Sequence, residues 1–137
     1  MTEFPTVSTP YTPVVLIVED DRLLLDLFMD VIRETGADVE GVLTADEGLE
    51  ALARRTDIRL LLTDVKTPGR LNGWDLAKAV YAQQPNLPVI IMSGYSFQPG
   101  AELPPNACYV HKPCPLDTLC DLVTARLAAG DVCPPAM

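Results

Sequence analysis

Short apolar runs alternate with amphipathic segments along most of the chain. Residues 14–18 are all apolar and mostly β-branched, which is typical of a strand that is buried on both faces of a sheet. Similar short runs recur downstream, each bounded by polar or turn-forming residues. We therefore predict five strands, at residues 14–18, 39–43, 60–63, 88–92 and 107–110.

Segments with apolar residues at helical spacing separate most of these strands. Gly36 follows the first such segment and Pro85 follows the third, as expected at helix ends. We predict helices at residues 23–34, 45–55, 73–84 and 115–129. Because strands and helices alternate, the sequence predicts an α/β fold with a parallel, doubly wound sheet that carries helices on both faces.

Local patterns refine two of these helices. Residues 44–47 have the form of a capping box, in which Thr44 caps the second helix and the Glu47 side chain reaches back. The first helix has an apolar stripe that we expect to face the sheet. That stripe consists of Leu24, Leu27, Phe28, Val31 and Ile32.

Polar side chains follow the predicted strands at their carboxyl ends. They are Glu19 and Asp20 after the first strand, Asp64 after the third, Ser93 after the fourth and Lys112 after the fifth. In doubly wound sheets these ends meet at one edge, where ligands bind. Crowded carboxylates repel one another unless a positive charge compensates them. A hard cation such as Mg²⁺, which prefers oxygen ligands, would do so together with Lys112.

Each of these residues also has a simpler interpretation when taken alone. Adjacent acids such as those at 19–21 commonly cap a helix or interact with its dipole, and we expect Asp21 to serve as the N-cap. Asp64 alone fits a turn residue, and Ser93 alone fits an ordinary loop. Their joint occurrence at successive strand ends favours a functional site.

Composition and charge limit the function classes. Hydrophobic residues make up 48% of the 137 residues, which suits one folded domain. The chain has 10 basic and 19 acidic residues, a net charge of −9, which disfavours direct nucleic-acid binding. The sequence has neither an apolar run of about 18 residues nor a secretory signal within residues 1–13. We therefore expect a cytoplasmic protein without membrane insertion.

The cysteine pattern does not indicate a metal or disulfide site. None of the cysteines forms a C-x-x-C pair, and His111 is the single histidine. We interpret them as reduced thiols, with a redox role as the less favoured alternative. The four cysteines are Cys108, Cys114, Cys120 and Cys133.

Together these motifs resemble the receiver domain of two-component response regulators. The matching segments are residues 15–21, 62–69, 72–73, 92–94 and 109–113. The resemblance extends over about residues 14–129 and implies a flavodoxin-like receiver fold. We expect a flexible lead at residues 1–13, the receiver domain at 14–129 and a short tail at 130–137.

The resemblance also implies roles for the residues at the strand ends. Asp64 would accept a phosphoryl group, and Ser93 and Lys112 would each contact a phosphoryl oxygen. Mg²⁺ or Mn²⁺ would be held by Asp20, Asp64 and the backbone carbonyl of Lys66, with Glu19 acting through water. Lys112 would precede a cis peptide bond to Pro113. Tyr109, with Ser93, would form the conformational switch.

Two segments depart from the family pattern. The loop at residues 68–73 is one residue longer than the commonest family form, which should reshape the rim of the site. Residues 94–105 should hold a fourth helix, yet three prolines and two glycines make a regular helix improbable there. We expect this fourth helix to be short or irregular, and we hypothesise that phosphorylation orders the segment.

The implied function is that of a stand-alone response regulator. A histidine kinase or a histidine phosphotransfer protein would be the phosphodonor, and the domain would catalyse only its own phosphorylation and dephosphorylation. No output domain is expected after Ala129, so the signal would pass through protein contacts, or the domain would act as a relay or phosphate sink. A small Mg²⁺-dependent phosphatase with an aspartate nucleophile is an alternative, although Lys66 replaces the second acid expected there. The other alternative is a receiver-like binding module that works without phosphorylation.

Overall fold

Five parallel strands form one sheet in the computed structural model, which describes residues 12–94 and 103–129. The strand order is β2-β1-β3-β4-β5, and every neighbouring pair is parallel. The elements are β1 (Val14–Val18), α1 (Arg22–Arg33), β2 (Asp38–Val42), α2 (Ala45–Arg54), β3 (Ile58–Asp64), α3 (Gly73–Gln83), β4 (Val89–Ser93), β5 (Ala107–His111) and α4 (Leu116–Ala129). This is the doubly wound, flavodoxin-like arrangement.

The sheet separates two hydrophobic cores. Because successive side chains of a strand point to opposite faces, β3 places Leu61 in one core and Leu60 and Leu62 in the other. Helices α2 and α3 cover the first face, and α1 and α4 cover the second. The predicted strands and helices are confirmed, with ends that differ by one or two residues.

The inner face of α1 differs from the prediction. The helix buries Leu25, Phe28 and Ile32 against the sheet, whereas Leu27 is 42% exposed. Residues 22–29 are rich in leucine, so apolar residues occur on more than one side of the helix. The periodicity therefore did not select a unique inner face. The predicted cap is confirmed, because the Asp21 side chain accepts hydrogen bonds from the amides of Leu23 and Leu24.

The predicted cap of α2 is confirmed, with a difference in the partner of the Glu47 carboxylate. Thr44 Oγ1 accepts a hydrogen bond from the Glu47 amide at 3.0 Å. The Glu47 carboxylate reaches back, but it accepts from the amide of Leu43, at 3.0 Å. Glu47 therefore also fixes the end of the loop that follows β2.

The predicted irregular helix four falls in the connection from β4 to β5. Gly94 and residues 103–105, at the two ends of that connection, are not helical. Residues 95–102, which make up most of it, lie outside the described residues, as do residues 1–11 and 130–137. Within the described ranges, each helix is too short or too polar to cross a bilayer.

Candidate functional site

Three carboxylates meet at the carboxyl edge of the sheet. Glu19 and Asp20 follow β1, and Asp64 is the last residue of the neighbouring β3. One oxygen from each lies within 4.8 Å of the others. Glu19 is 3% exposed and its Oε2 accepts a hydrogen bond from the Asp21 amide, whereas Asp20 is exposed to solvent. Glu19 and Asp20 therefore lie in different environments, and a ligand can reach Asp20 from the solvent side.

Lys112 brings a positive charge to this group of acids. Its Nζ lies 3.0 Å from Asp64 Oδ2 and 3.3 Å from Glu19 Oε1. The residue follows β5 directly, and the Lys112–Pro113 peptide bond is cis, as predicted. Its backbone amide donates to the Ser93 carbonyl at 2.8 Å. Lys112 is therefore held at both its backbone and its ammonium group.

Burial and charge shift two pKa values in the site. Burial raises the pKa of Glu19, and the nearby Asp64 charge adds to this, while the Asp21 amide and Lys112 oppose it. Burial lowers the pKa of Lys112. The hydrogen bond to Asp64 and the negative charges of Asp64 and Glu19 outweigh this effect, so the pKa of Lys112 is raised above its usual value. Lys112 is therefore charged at neutral pH. An all-oxygen donor set beside it fits a hard divalent cation such as Mg²⁺.

Close contact between β3 and the start of α3 fixes the position of Asp64. The Gly73 amide donates to the Val65 carbonyl at 2.7 Å. A Cβ atom at Gly73 would collide with the Asp64 carbonyl oxygen and lie 2.9 Å from the Val65 Cα. Asn72 and Asp75 form a capping box immediately around this contact. Glycine is therefore required where α3 meets the strand end.

The loop at residues 68–73 is tied to the first turn of α2. Asp46 accepts hydrogen bonds from the amides of Arg70 at 3.3 Å and Leu71 at 2.9 Å. Thr67 Oγ1 accepts from the Ala45 amide and donates to the Leu71 carbonyl. Gly69 has a φ of 107°, a backbone conformation that residues with a side chain rarely adopt. The rim of the site is thus an ordered turn supported by α2.

The predicted switch residues lie on adjacent strands. Ser93 ends β4, is buried, and comes one residue after Met92, which pairs in register with Asp64. Tyr109 lies on β5 and stacks against Trp74 of α3, with ring centroids 6.3 Å apart and planes inclined by 4°. Tyr109 packs with the core beneath α2 and α3, away from the carboxylates.

Lys66 is exposed in the loop two residues after Asp64. The structure brings Glu19, Asp20, Asp64 and Lys112 into one group, while Tyr109 stacks against Trp74. Two supports of the site were not predicted from the sequence. They are the Trp74–Tyr109 stack and the fixation of the loop by Asp46. An isolated tryptophan or a first-turn aspartate gives no signal of such long-range contacts.

An apolar groove of about 530 Å³ lies beside the carboxylates. Leu24, Leu27 and Phe28 of α1 form one wall, and the residues from Lys112 to the start of α4 form the other. Leu23, next to the groove at the exposed start of α1, is 83% exposed. Large exposed leucines beside a polar site are typical of a protein-binding surface.

The sequence matches the response regulator receiver domain over residues 15–124. The response regulator protein FleR of Pseudomonas aeruginosa is 34% identical over 126 residues, which cover 86% of this chain and 25% of FleR. The chain thus spans about a quarter of that relative.

Solved structures show the same fold. A CheY-like receiver domain protein from Methanospirillum hungatei superposes with a TM-score of 0.77 at 27% identity, covering 86% of this chain and 95% of that one. The response regulator TrrA of Thermotoga maritima gives a TM-score of 0.74 at 20% identity, covering 83% and 98% of the two chains. At this lower identity the likeness concerns the fold. The family match, the shared fold and the similarity to FleR show that the chain belongs to the family of response regulator receiver domains.

Proposed function

We propose that the protein accepts a phosphoryl group on Asp64 from a histidine kinase or a histidine phosphotransfer protein. The observation that carries this proposal is the Asp64 carboxylate at a strand end, 3.0 Å from Lys112 Nζ and grouped with Glu19 and Asp20. A carboxylate attacks phosphorus slowly unless charge on the transferring group is neutralised. Lys112 would supply a fixed positive charge for that purpose.

The chemical step is a displacement at phosphorus. An Asp64 oxygen forms a bond to phosphorus as the bond to the donor nitrogen breaks, and the electron pair leaves with the donor imidazole. Mg²⁺ or Mn²⁺, when bound, would neutralise charge on the phosphoryl oxygens. Asp20, Asp64 and the Lys66 carbonyl would hold the cation, with Glu19 acting through water.

Signalling would follow from the new oxygen atoms on Asp64. Ser93, at the end of the adjacent strand, would donate a hydrogen bond to one phosphoryl oxygen, and Lys112 would pair with another. Movement of Ser93 would give Tyr109 room to move inward, so the Trp74 stack would change. A local change in charge would in this way bias two packed arrangements of β4 and β5.

The biological setting belongs to the same proposal. Residues 14–129 would form the receiver domain of a cytoplasmic regulator that signals through a protein partner or serves as a relay or phosphate sink. The net charge of −9 argues against direct contact with nucleic acid. The domain would catalyse only its own phosphorylation and dephosphorylation.

Asp20→Asn should weaken Mg²⁺ binding by more than tenfold, whereas Asp21→Asn should change it less than threefold. Asp20 belongs to the carboxylate group, while Asp21 caps α1 through the Leu23 and Leu24 amides. Trp74 fluorescence, followed during Mg²⁺ titration and then with beryllofluoride, measures both variants. Similar losses in the two variants would contradict the proposed division of roles.

Leu23→Ala combined with Leu27→Ala should slow phosphotransfer from a histidine-phosphorylated protein donor by roughly tenfold or more. Leu27 lines the groove beside the site and Leu23 is exposed at the start of the same helix, and we expect the protein donor to approach there to reach Asp64. Acetyl phosphate needs no docking surface, so phosphorylation by it should be unchanged. Tyr81→Ala, which removes an exposed apolar side chain from α3 on the other face of the sheet, is the control. Equal slowing with both donors would exclude α1 as a docking surface.

A further inference from the structure

The Thr67 side chain joins the chain after β3 to the first turn of α2 and to the loop at residues 68–73. Its Oγ1 accepts a hydrogen bond from the Ala45 amide at 3.2 Å and donates one to the Leu71 carbonyl at 3.3 Å. The Ala45 amide begins α2, where helix N–H groups have no intrahelical partner, so the Thr67 hydroxyl satisfies an otherwise unpaired donor. The half-buried Thr67 side chain is therefore held from two sides.

Asp46 strengthens the same link from the α2 side. Its carboxylate accepts hydrogen bonds from the Arg70 and Leu71 amides. Leu71 is therefore held through its N–H by Asp46 and through its carbonyl by Thr67. A Cβ atom at Gly69 would lie only 3.0 Å from Asp46 Oδ1, so the carboxylate packs closely on the turn. Together these contacts form one hydrogen-bonded unit between the loop and α2.

Lys66 lies between this unit and Val65, which is itself held by β4 and α3. The Val65 amide donates to the Met92 carbonyl at 3.0 Å, and the Val65 carbonyl accepts from the Gly73 amide at 2.7 Å. The Lys66 carbonyl belongs to the planar peptide group that includes the Thr67 nitrogen. Because the residues on both sides of Lys66 are held, this peptide plane has little freedom to rotate.

We infer that Thr67 is a positioning residue for the divalent cation, because its two hydrogen bonds orient the Lys66 carbonyl. The inference rests on the function proposed above, in which that carbonyl is the backbone ligand of Mg²⁺. Mg²⁺ requires near-ideal octahedral geometry, so a carbonyl that turns away lowers the affinity of the site. The Asp64 carboxylate is placed separately, by β3 and the close contact at Gly73, and should keep its reactivity once the cation is bound.

Thr67→Val should weaken Mg²⁺ binding by about tenfold, which is typical when a residue that orients a metal ligand is removed. Valine has nearly the shape of threonine, but it can neither accept from the Ala45 amide nor donate to the Leu71 carbonyl. The amide chemical shift of Asp20 during a Mg²⁺ titration measures the affinity without any phosphorylation step. Wild-type affinity in this variant would overturn the inference.

Two further variants separate positioning from general destabilisation. Thr67→Ser restores the hydroxyl and should bind Mg²⁺ nearly as tightly as the wild type. Thr35→Val is the matched control, because Thr35 Oγ1 donates to the Ile32 carbonyl at 2.6 Å just after α1, away from the carboxylate group. It loses a hydrogen bond of the same kind and should bind Mg²⁺ normally. Equal losses of affinity in Thr35→Val and Thr67→Val would contradict the positioning role.

Phosphorylation by acetyl phosphate separates binding of the cation from the chemical step. In Thr67→Val the Mg²⁺ concentration that gives half the maximal rate should rise about tenfold, while the maximal rate stays close to that of the wild type. A loss of maximal rate that excess Mg²⁺ does not restore would contradict the inference. A wild-type protein that binds no Mg²⁺ would count against the proposed function, whereas normal binding by both the wild type and Thr67→Val would overturn only the role of Thr67.

Asp46→Ala applies the same test if Thr67→Val does not fold. It removes the bond that holds the Leu71 amide and leaves the Thr67 hydroxyl in place, so Mg²⁺ binding should weaken several-fold. Glu50→Gln, at an exposed acid of the same helix, controls for the loss of one negative charge. Wild-type affinity in Asp46→Ala, or an equal loss in Glu50→Gln, would then overturn the inference.

Discussion

Asp64→Asn should abolish phosphorylation by acetyl phosphate and the Trp74 fluorescence response to beryllofluoride with Mg²⁺. The amide has almost the shape of the carboxylate but lacks the nucleophilic charge and the strong metal-binding oxygen. The fold should persist, because Lys112 retains its contact with Glu19 at 3.3 Å. Intact-mass spectrometry would show the gain of one phosphoryl group in the wild type and none in the variant.

Asp26→Asn is the matched control for this experiment. Asp26 is an exposed acid on α1 outside the carboxylate group, so its neutralisation changes the net charge equally. Its phosphorylation should equal that of the wild type. A phosphoryl group that persists in Asp64→Asn, located by peptide mapping on another side chain, would refute the assignment of Asp64 as acceptor.

Gly73→Ala should destabilise the protein by about 3 kcal/mol, the upper end of the usual overpacking cost. The added methyl group would meet the Asp64 carbonyl oxygen and the Val65 Cα, and neither backbone atom can rotate away. Relief of the clash requires α3 to shift from the strand end, which would also displace the Asp64 carboxylate. Urea denaturation measures the free energy of unfolding, and phosphorylation by acetyl phosphate should also slow.

Gly94→Ala provides the comparison, because a Cβ atom there would have no heavy atom of the described residues within 4 Å, apart from its chain neighbours. Its free energy of unfolding should change by no more than about 0.5 kcal/mol. If the two alanine variants were equally stable, the close contact between α3 and β3 would not be a constraint on the fold.

The alternation of apolar runs and amphipathic segments was sufficient to predict the sheet and its helices. Strand β1 is continuously apolar and β4 is apolar up to Ser93, so burial on both faces leaves little ambiguity. Helix faces were harder to predict, because the leucine-rich start of α1 offers more than one apolar side. Packing against β1 and β2 then selected Leu25 over Leu27.

The carboxylate group could be predicted because chain order and strand direction together place these residues at one edge. Contacts between distant side chains could not be predicted in this way. Asp46 accepts a hydrogen bond from the amide of Leu71, which lies 25 positions further along the chain. Neither residue has a distinctive neighbourhood in the sequence. Arg126 likewise occupies a position in α4 where helical periodicity predicts an apolar side chain, so its burial became evident only in three dimensions.

The rim loop at residues 68–73 is held at both ends, so its length can change without moving the carboxylate of Asp64. Thr67 contacts α2 at one end, and Gly73 contacts Val65 at the other. Changes in the number of residues between these points alter loop-closure entropy only slightly. The intervening residues can therefore diversify by insertion or deletion between homologues, so partner recognition can evolve at this rim while the chemistry of the aspartate stays constant.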